Sequence, residues 1–312
     1  MVYAYSKILD FYATNGRLPN TASVTNIVGV DSTSVVVSNS LFSDVNTGKT
    51  FSSVQSAIND PTTLSGHVIQ AQSGTYTENV LVNKNVTIKP VSGGSVTFEA
   101  VNPYSPVFNI TTSGASIQGL SICNSFNSTG INLNGVTGCN ITFNNLFNNY
   151  IATGVINSKN TYILNNTMHD ALRYGIFLYN SNSTLITGNS ITGGLYGINP
   201  QNSNATIQFN RFNDFSGFAL VAQSKSVITA TNNWWGTNTP TYISSANWVS
   251  TYYDIYNYGN NTITYNPWIV LKFSANTTTT SNNSTVTADL THNNGGGDTS
   301  SSGHIPRYLL FP

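Results

Sequence analysis

The chain has 312 residues, of which 11 are basic, 11 are acidic and only 7% are charged in total. An ordinary soluble protein has about 25% charged residues, so charge is scarce here, and its even balance leaves no basic surface for nucleic acid or anionic lipid. Hydrophobic residues make up 39% of the chain at zero net charge, which excludes a disordered coil.

The sequence indicates neither a membrane span nor a cofactor. No apolar run reaches the ~18 to 20 residues that cross a bilayer, and Met1 to Asp10 lacks the basic start and apolar run of a signal peptide. We therefore expect no transmembrane segment and no signal peptide in this chain. Cys123 and Cys139 are too few for a disulfide scaffold or zinc site and are predicted to be buried. The four histidines lack ligand spacing, so we predict no metal and no cofactor.

A short helix is predicted over residues 51–59. Ser52 and Gln55 have the spacing of a capping box at its start. Such a helix would cover the open edge of the strands that follow it. Three apolar residues fall on one of its faces: Phe51, Val54 and Ile58.

Strand patterns follow, and in the middle of the chain they become a regular repeat. Apolar and polar residues first alternate at Val80 to Val82, Val86 to Ile88 and Val96 to Phe98. Each later copy then has an aliphatic residue with an asparagine soon after it, and these asparagines are separated by 22, 23, 21 and 22 residues. Short strands at this period predict an all-β fold, a parallel β-helix whose turns stack to bury their inner faces. Side-chain amides ~4.8 Å apart are predicted to form a structural ladder at one bend: Asn144, Asn166, Asn189, Asn210 and Asn232.

These motifs resemble a known group of proteins. GTYTENVLVNKNVTIK, ILNNT, ITGNSI and NNWWGTN are similar to the right-handed parallel β-helix of adhesin-like surface proteins from methanogenic archaea, which is related to NosD-type and pectate-lyase-like repeats. The resemblance covers about residues 50–240. It implies an extracellular, cell-surface protein whose partners are cell-wall or extracellular polysaccharides or other surface proteins.

The flanks resemble parts of other surface modules. ILDFYATNGRLPNTASV is similar to the first half of a pseudomurein-binding repeat, and YNPWIVLKFSANTTTTSNNSTVTADLTHNN to the opening strands of an immunoglobulin-like repeat. Two strands do not make a stable sandwich, so we expect the last segment to be poorly ordered. The predicted segments are a partial pseudomurein-binding-like repeat (1–25), a linker (26–48), the β-helix with its helix (49–240), a C-terminal cap or connector (241–273) and the truncated immunoglobulin-like start (274–312).

Only one pair of acidic residues is in register within the repeat. Asp170 and Asp214 occupy equivalent positions two turns apart, with Gly193 at the same position between them. At ~4.8 Å per turn their spacing is roughly 9 to 10 Å, close to the 6.5–9.5 Å or so of an inverting glycosidase. If the protein is an enzyme, these two are its catalytic residues; otherwise they are turn formers or members of surface ion pairs. Three neighbours complete the candidate set: His169, Arg173 and Arg211.

An aromatic register provides the candidate ligand-binding residues. Tyr174, Tyr196 and Phe218 are spaced by 22 residues, so their rings are expected to stack. Such a column is either a platform for sugar rings or internal packing, and the strand alternation favours packing.

Two functions are compatible with this pattern. The favoured one is a non-enzymatic, adhesin-like surface module, a β-helical stalk or platform that contacts glycans or other surface proteins. The alternative is a polysaccharide hydrolase or lyase that uses Asp170 and Asp214. The chain also contains eleven Asn-x-Ser/Thr sequons, of which only exposed ones can carry a glycan: Asn85, Asn109, Asn127, Asn140, Asn165, Asn182, Asn204, Asn260, Asn276, Asn282 and Asn283.

Overall fold

Strands from successive turns of the chain pair in parallel, which confirms the predicted all-β parallel β-helix. The computed structural model describes residues 21–25, 34–38, 40–247, 254–275, 286–303 and 305–306. Within these residues the coil has a nine-stranded sheet I, an eleven-stranded sheet II and a seven-stranded sheet III. A typical turn contributes one strand each to sheets II, III and I, in that order.

The strands are numbered in chain order. Sheet I contains β7 (Val80–Val82), β10 (Phe108–Ile110), β13 (Thr129–Asn134), β16 (Ile151–Ile156), β19 (Tyr174–Tyr179), β22 (Tyr196–Gln201), β25 (Leu220–Gln223), β27 (Tyr242–Ser245) and β28 (Ile255–Tyr258). Sheet II contains β3 (Phe42–Asp44), β4 (Thr50–Phe51), β5 (Val68–Ala71), β8 (Thr87–Pro90), β11 (Ser116–Gln118), β14 (Asn140–Thr142), β17 (Tyr162–Leu164), β20 (Thr184–Thr187), β23 (Asn204–Gln208), β26 (Val227–Thr229) and β29 (Thr262–Thr264). Sheet III contains β6 (Gly74–Thr77), β9 (Val96–Glu99), β12 (Ser121–Cys123), β15 (Asn145–Phe147), β18 (Thr167–His169), β21 (Ser190–Thr192) and β24 (Arg211–Asn213). Two antiparallel pairs stand outside these sheets: β1 (Thr21–Thr25) with β2 (Ser34–Ser38), and β30 (Ile269–Ala275) with β31 (Val286–Asn293).

Apolar side chains at alternate strand positions fill the inside of the coil. Ile141 of sheet II pairs in register with Ile163, which pairs with Ile186, and all three are fully buried. Each such side chain contributes about 1.5–3 kcal/mol when it is removed from water. Cys123 is also buried and free, and burial, reinforced by nearby Glu99, raises the pKa of its thiol to about 11.

The corners between the sheets differ in how much their length varies. From β11 to β24, the corner between sheets II and III always has two residues, as at 143–144 and 188–189. Its first residue is left-handed, with φ of 67° at Gly188, a conformation that glycine adopts without strain. The corner between sheets III and I ranges from three residues at 148–150 to eight at 100–107.

An asparagine ladder occupies the second position of the II–III corner. The Asn166 amide nitrogen donates to Asn189 Oδ1 at 3.0 Å and to the Ile141 carbonyl at 2.8 Å. The Asn166 backbone N–H donates to the same Asn189 oxygen at 2.8 Å, so each buried amide is hydrogen-bonded to the next turn. The ladder consists of Asn144, Asn166, Asn189, Asn210 and Asn233.

The last ladder residue is Asn233, so the prediction of Asn232 at this position is wrong. Trp234 forms a bridge with Arg211, and the register of this bridge places the residue just before Trp234 next to Asn210. Asn210 accordingly donates to Asn233 Oδ1 from its backbone and its side chain, at 2.9 and 3.0 Å. Asn232 lies one residue earlier in the left-handed region, with φ of 55°.

A second ladder, made of serines, lies at the corner between sheets I and II. The Ser158 backbone N–H donates to Ser181 Oγ at 3.1 Å, and Ser181 in turn donates to Ser203 Oγ at 3.0 Å. Ser203 continues the series by donating to Ser226 Oγ at 3.2 Å. All four serines are buried, so two corners of these turns are held by small polar side chains.

Helix α1 (Val54–Asn59) covers the first turn and is shorter than the predicted 51–59. Its capping box is formed by Ser53 and Ser56 and not by Ser52 and Gln55, because the preceding residues belong to β4. Gln55 instead hydrogen-bonds both backbone groups of Leu81 in β7, at 2.7 and 3.2 Å. The helix thus satisfies part of the edge that sheet I would otherwise expose.

The β-helix extends beyond the predicted boundaries of 49 and 240 at both ends. Phe42 is buried and pairs with Ala71, so the first part of sheet II lies inside the predicted linker. At the other end, Ile228 pairs in parallel with Ile263, which adds strands of sheets I and II within the predicted connector. Trp235 closes sheet III by stacking on Phe212 at a ring distance of 4.7 Å.

Parts of the predicted flanks lie outside the described residues. Most of the partial pseudomurein-binding-like repeat (1–25) is outside them, apart from β1. Of the segment 274–312, which was expected to be poorly ordered, the structure describes β31 paired with β30, and Ile305, which packs in one apolar cluster with Trp234. This part is ordered because the apolar end of the coil supports it.

Removal of one ladder side chain should destabilise the whole coil. Asn189→Ala takes away the acceptor of two Asn166 donors and leaves buried polar groups unpaired. We expect a loss of about 2–3 kcal/mol in the free energy of unfolding, measured by urea denaturation. The control is Asn180→Ala, an exposed amide that bonds only other exposed amides, for which we expect a change below about 0.5 kcal/mol.

The buried carboxylate of Asp44 makes the N-terminal end of the coil sensitive to pH. It accepts hydrogen bonds from Thr63 Oγ1 at 3.0 Å and the Asn46 N–H at 2.9 Å, and lies 2.8 Å from His67 Nδ1. Burial raises the pKa of Asp44, but the hydrogen bonds from His67, Asn46 and Thr63 outweigh it and hold the pKa below its usual value.

Because the folded pKa is lowered, ionised Asp44 contributes stability above the ordinary carboxyl pKa of about 4. This contribution is lost as pH falls through the lower folded pKa. The Tm gap between the natural chain and Asp44→Asn should therefore be widest near neutral pH and shrink below about pH 4. Thermal unfolding at a series of pH values measures the gap; a constant gap would contradict this account.

Candidate functional site

A groove lies on the outer face of sheet III, where four successive strands present their outward side chains. The first column of these residues is Asn145, Thr167, Ser190 and Arg211. The second column, two residues further along each strand, is Phe147, His169, Thr192 and Asn213. All of them except Phe147 line a cavity of about 700 Å³, together with the bend that follows.

The bend beside the groove brings the two predicted carboxylates into the same cavity. Asp170, Gly193 and Asp214 follow equivalent strands on successive turns and all have left-handed φ, of 55°, 69° and 59°. Aspartate tolerates this conformation better than most residues do. A Cβ added to Gly193 would lie 3.0 Å from Asp170 Oδ1, so the glycine keeps the space between the carboxylates open.

Both carboxylates face solvent and hydrogen-bond to the residue before them. Asp170 is 67% exposed, and its Oδ2 lies 2.8 Å from Nδ1 of His169. Asp214 is exposed and accepts a hydrogen bond from Asn213. At ~4.8 Å per turn, two turns separate the bends by about 9–10 Å. The pair is therefore accessible to a large ligand from one side.

The structure separates the other charged candidates. Arg211 lines the groove with Asp170 and Asp214, as does His169. Arg173 does not line it, because the chain has already turned into sheet I at this position. Its guanidinium donates to the Tyr150 hydroxyl at 2.9 Å, and this hydrogen bond raises the pKa of Arg173.

Tyr174 and Tyr196, the candidate ligand-binding residues, stack outside the groove. Their ring centroids are 5.5 Å apart, and those of Tyr196 and Phe218 are 5.9 Å apart. Tyr174 and Phe218 are 7% and 3% exposed, so their ring faces are covered by one another and by sheet I. The column is internal packing along its length and not a sugar platform in the groove.

The sequence pattern did not reveal the aromatic and uncharged members of the groove. The rings of Phe147 and His169 are parallel, with centroids 5.2 Å apart and an angle of 3° between them. Thr192 and Asn213 continue the same column. Their 22-residue spacing was the available signal, but polar residues at this spacing are common throughout the repeat. A second cavity of about 270 Å³ extends past Asp214 to the last turns.

Among the described residues, no group of three His, Cys, Asp or Glu side chains is arranged to hold a metal ion. No helix in the described part of the chain is long and apolar enough to cross a membrane.

The chain belongs to the right-handed β-helix family. The family model described as "right handed beta helix region" matches residues 107–266, which include the groove and both ladders. Over 109 residues the chain is 40% identical to a cell surface glycoprotein of Methanothermus fervidus. The match covers 35% of this chain, and the chain spans only 18% of the glycoprotein's length.

Several solved structures also align with the chain. A pectin methylesterase in complex with a hexasaccharide aligns over 78% of this chain and 83% of its own, at 12% identity and a TM-score of 0.44. The periplasmic alginate epimerase AlgG aligns over 61% and 46%, at 15% identity and a TM-score of 0.40. The Streptococcus pneumoniae surface protein and adhesin PfbA aligns over 64% of each chain, at 10% identity and a TM-score of 0.34. We take no function from these three.

A side chain at position 193 should cost more than its backbone conformation alone. Gly193→Ala places a methyl group in a left-handed conformation and against Asp170 Oδ1, so we expect a loss of about 1–2 kcal/mol in the free energy of unfolding. Gly135→Ala is the matched control, since Gly135 has φ of 68° and nothing within 4 Å of an added Cβ. Urea denaturation of both variants measures the difference; equal losses would show that the Asp170 contact has no effect.

Proposed function

We propose that this chain is a glycan-binding β-helical module of a cell-surface protein, and that the groove on sheet III is its binding site. The observation that carries the proposal is the composition of the groove. Its walls present amide, hydroxyl, imidazole, guanidinium and carboxylate groups on a rigid sheet. These groups hydrogen-bond the many hydroxyls of a saccharide, and the stacked rings of Phe147 and His169 add a flat surface beside them.

Extracellular location is part of the same proposal. It is supported by the 40% identity to a protein named as a cell surface glycoprotein. The scarcity of charge is consistent with this role, since a neutral polar surface contacts uncharged polymers without having to desolvate ions. In an adhesin-like role the module would be a platform, with neighbouring surface polysaccharide or protein as its partner.

We favour binding over catalysis because of the surroundings of the carboxylates. A glycosidase keeps its general acid in an apolar pocket, whereas Asp170 is 67% exposed and paired with His169. One observation nevertheless supports an enzyme as the second candidate. Asp170 and Asp214 line a single cavity with Gly193 between them, at about the spacing that leaves room for a sugar and a water molecule.

Filling the groove should abolish binding without disturbing the fold. Thr192 lies in the centre of the outward column, so Thr192→Trp should weaken retention on the polysaccharides that the natural chain binds by at least about tenfold, or roughly 1.4 kcal/mol. The matched control is Thr187→Trp, the same change at a half-buried outward position of sheet II. A glycan array and a panel of insoluble polysaccharides provide the measurement.

The same panel distinguishes the two candidate functions when reducing ends are assayed as well. Binding without release of reducing ends supports the platform. Release that disappears in the double variant Asp170→Asn, Asp214→Asn would establish the enzyme. If the natural chain neither binds nor cleaves any polysaccharide on the panel, the glycan-binding proposal is wrong.

A further inference from the structure

The corner between sheets I and II carries a set of asparagines that the groove does not explain. Asn182, Asn204 and Asn260 all lie at this corner, and all three side chains are exposed. Within the described part of the chain, none of the three side-chain amides forms a hydrogen bond. Each begins an Asn-x-Thr sequon, the acceptor motif for N-linked glycans.

Strand geometry decides which of these sequons presents both of its functional groups. Asn204 starts β23, where residues two apart point to the same face. Thr206 therefore points outward with Asn204, while Ala205 and Ile207 are buried inside the coil. At Asn260 the hydroxyl-bearing residue, Thr262, is exposed as well. Asn182 differs, because its Thr184 is only 1% exposed.

The other sequons of the described residues are less accessible. Asn109 lies within sheet I, is half-buried and accepts a hydrogen bond from Asn132 at 2.9 Å. Asn140 and Asn85 are also half-buried. Asn127 is exposed, but its Thr129 is buried. Asn165 is exposed, yet its side-chain oxygen packs against Gly188.

We propose that Asn204 and Asn260 are N-glycosylation sites and that the I–II corner is the glycosylated edge of this module. The donor is a lipid-linked oligosaccharide, and a membrane oligosaccharyltransferase joins it to the chain. In this step a bond forms between asparagine Nδ2 and C1 of the first sugar. The bond from C1 to the lipid phosphate breaks, the phosphate oxygen keeps the electron pair, and the amide gives up one proton.

The location of this edge is compatible with a free groove. Each turn has three sheets and three corners, and the I–II corner is the one that sheet III does not touch. Glycans at Asn204 and Asn260 therefore project from the side of the coil opposite the groove. The proposal stands independently of what the groove binds, since it rests on the sequons and their exposure.

Site-resolved mass spectrometry of glycopeptides tests the proposal on the full chain, secreted from a cell that has an N-glycosylation pathway. We expect glycan on more than half of the Asn204 and Asn260 molecules, less at Asn182, and none at Asn109 or Asn140. Thr206→Ala should remove glycan at Asn204 alone, and Thr206→Ser should retain it. Exposed asparagines of the same corner that lack a sequon, Asn180 and Asn202, are the internal negative control.

Two results would overturn the proposal. One is a chain without glycan at both Asn204 and Asn260. The other is occupancy at the half-buried Asn109 and Asn140 equal to that at the exposed pair, because accessibility would then not select the sites. Circular dichroism of the threonine variants verifies that a lost glycan does not reflect a lost fold.

Discussion

Each residue of this coil lies directly above and below its own equivalents, and this constraint governs the whole structure. With ~4.8 Å between turns, a side chain at a corner contacts the same kind of side chain in the next turn. Like charges at that distance repel, whereas amides and hydroxyls are both donors and acceptors and can form unbroken chains. The asparagine ladder and the serine ladder follow from this, and so does the low charge content of 7%.

The same stacking makes the groove regular. The left-handed bend that carries Asp170 recurs at Gly193 and again at Asp214, so any functional group placed there reappears at a fixed interval along the axis. A single glycine in that series creates a gap between two carboxylates. The groove is thus a modulation of the repeat, and its rigidity comes from the buried strands beneath it and not from separate loops.

The sequence predicted what depends on period and missed what depends on register. Spacing near 22 residues was enough to predict the parallel coil and the positions of Asn144, Asn166, Asn189 and Asn210, because each follows its aliphatic anchor at a constant distance. It failed at Asn233, where extra residues before Trp234 change that distance and the following strand determines the register. The serine ladder was hidden because serine is frequent everywhere in the chain. Side-chain direction was equally invisible, so Arg173 was grouped with the groove although it lies over Tyr150.

The unequal lengths of the corners have a consequence for how this module can diversify. The two-residue corner between sheets II and III is locked by buried asparagines, and an insertion there would break every hydrogen bond of the ladder. The corner between sheets III and I already varies from three to eight residues without disturbing the turns above and below. Segments inserted at that corner would stand along one border of the groove, so the contacts of the module can be altered by exchanging loops while the hydrophobic interior stays the same.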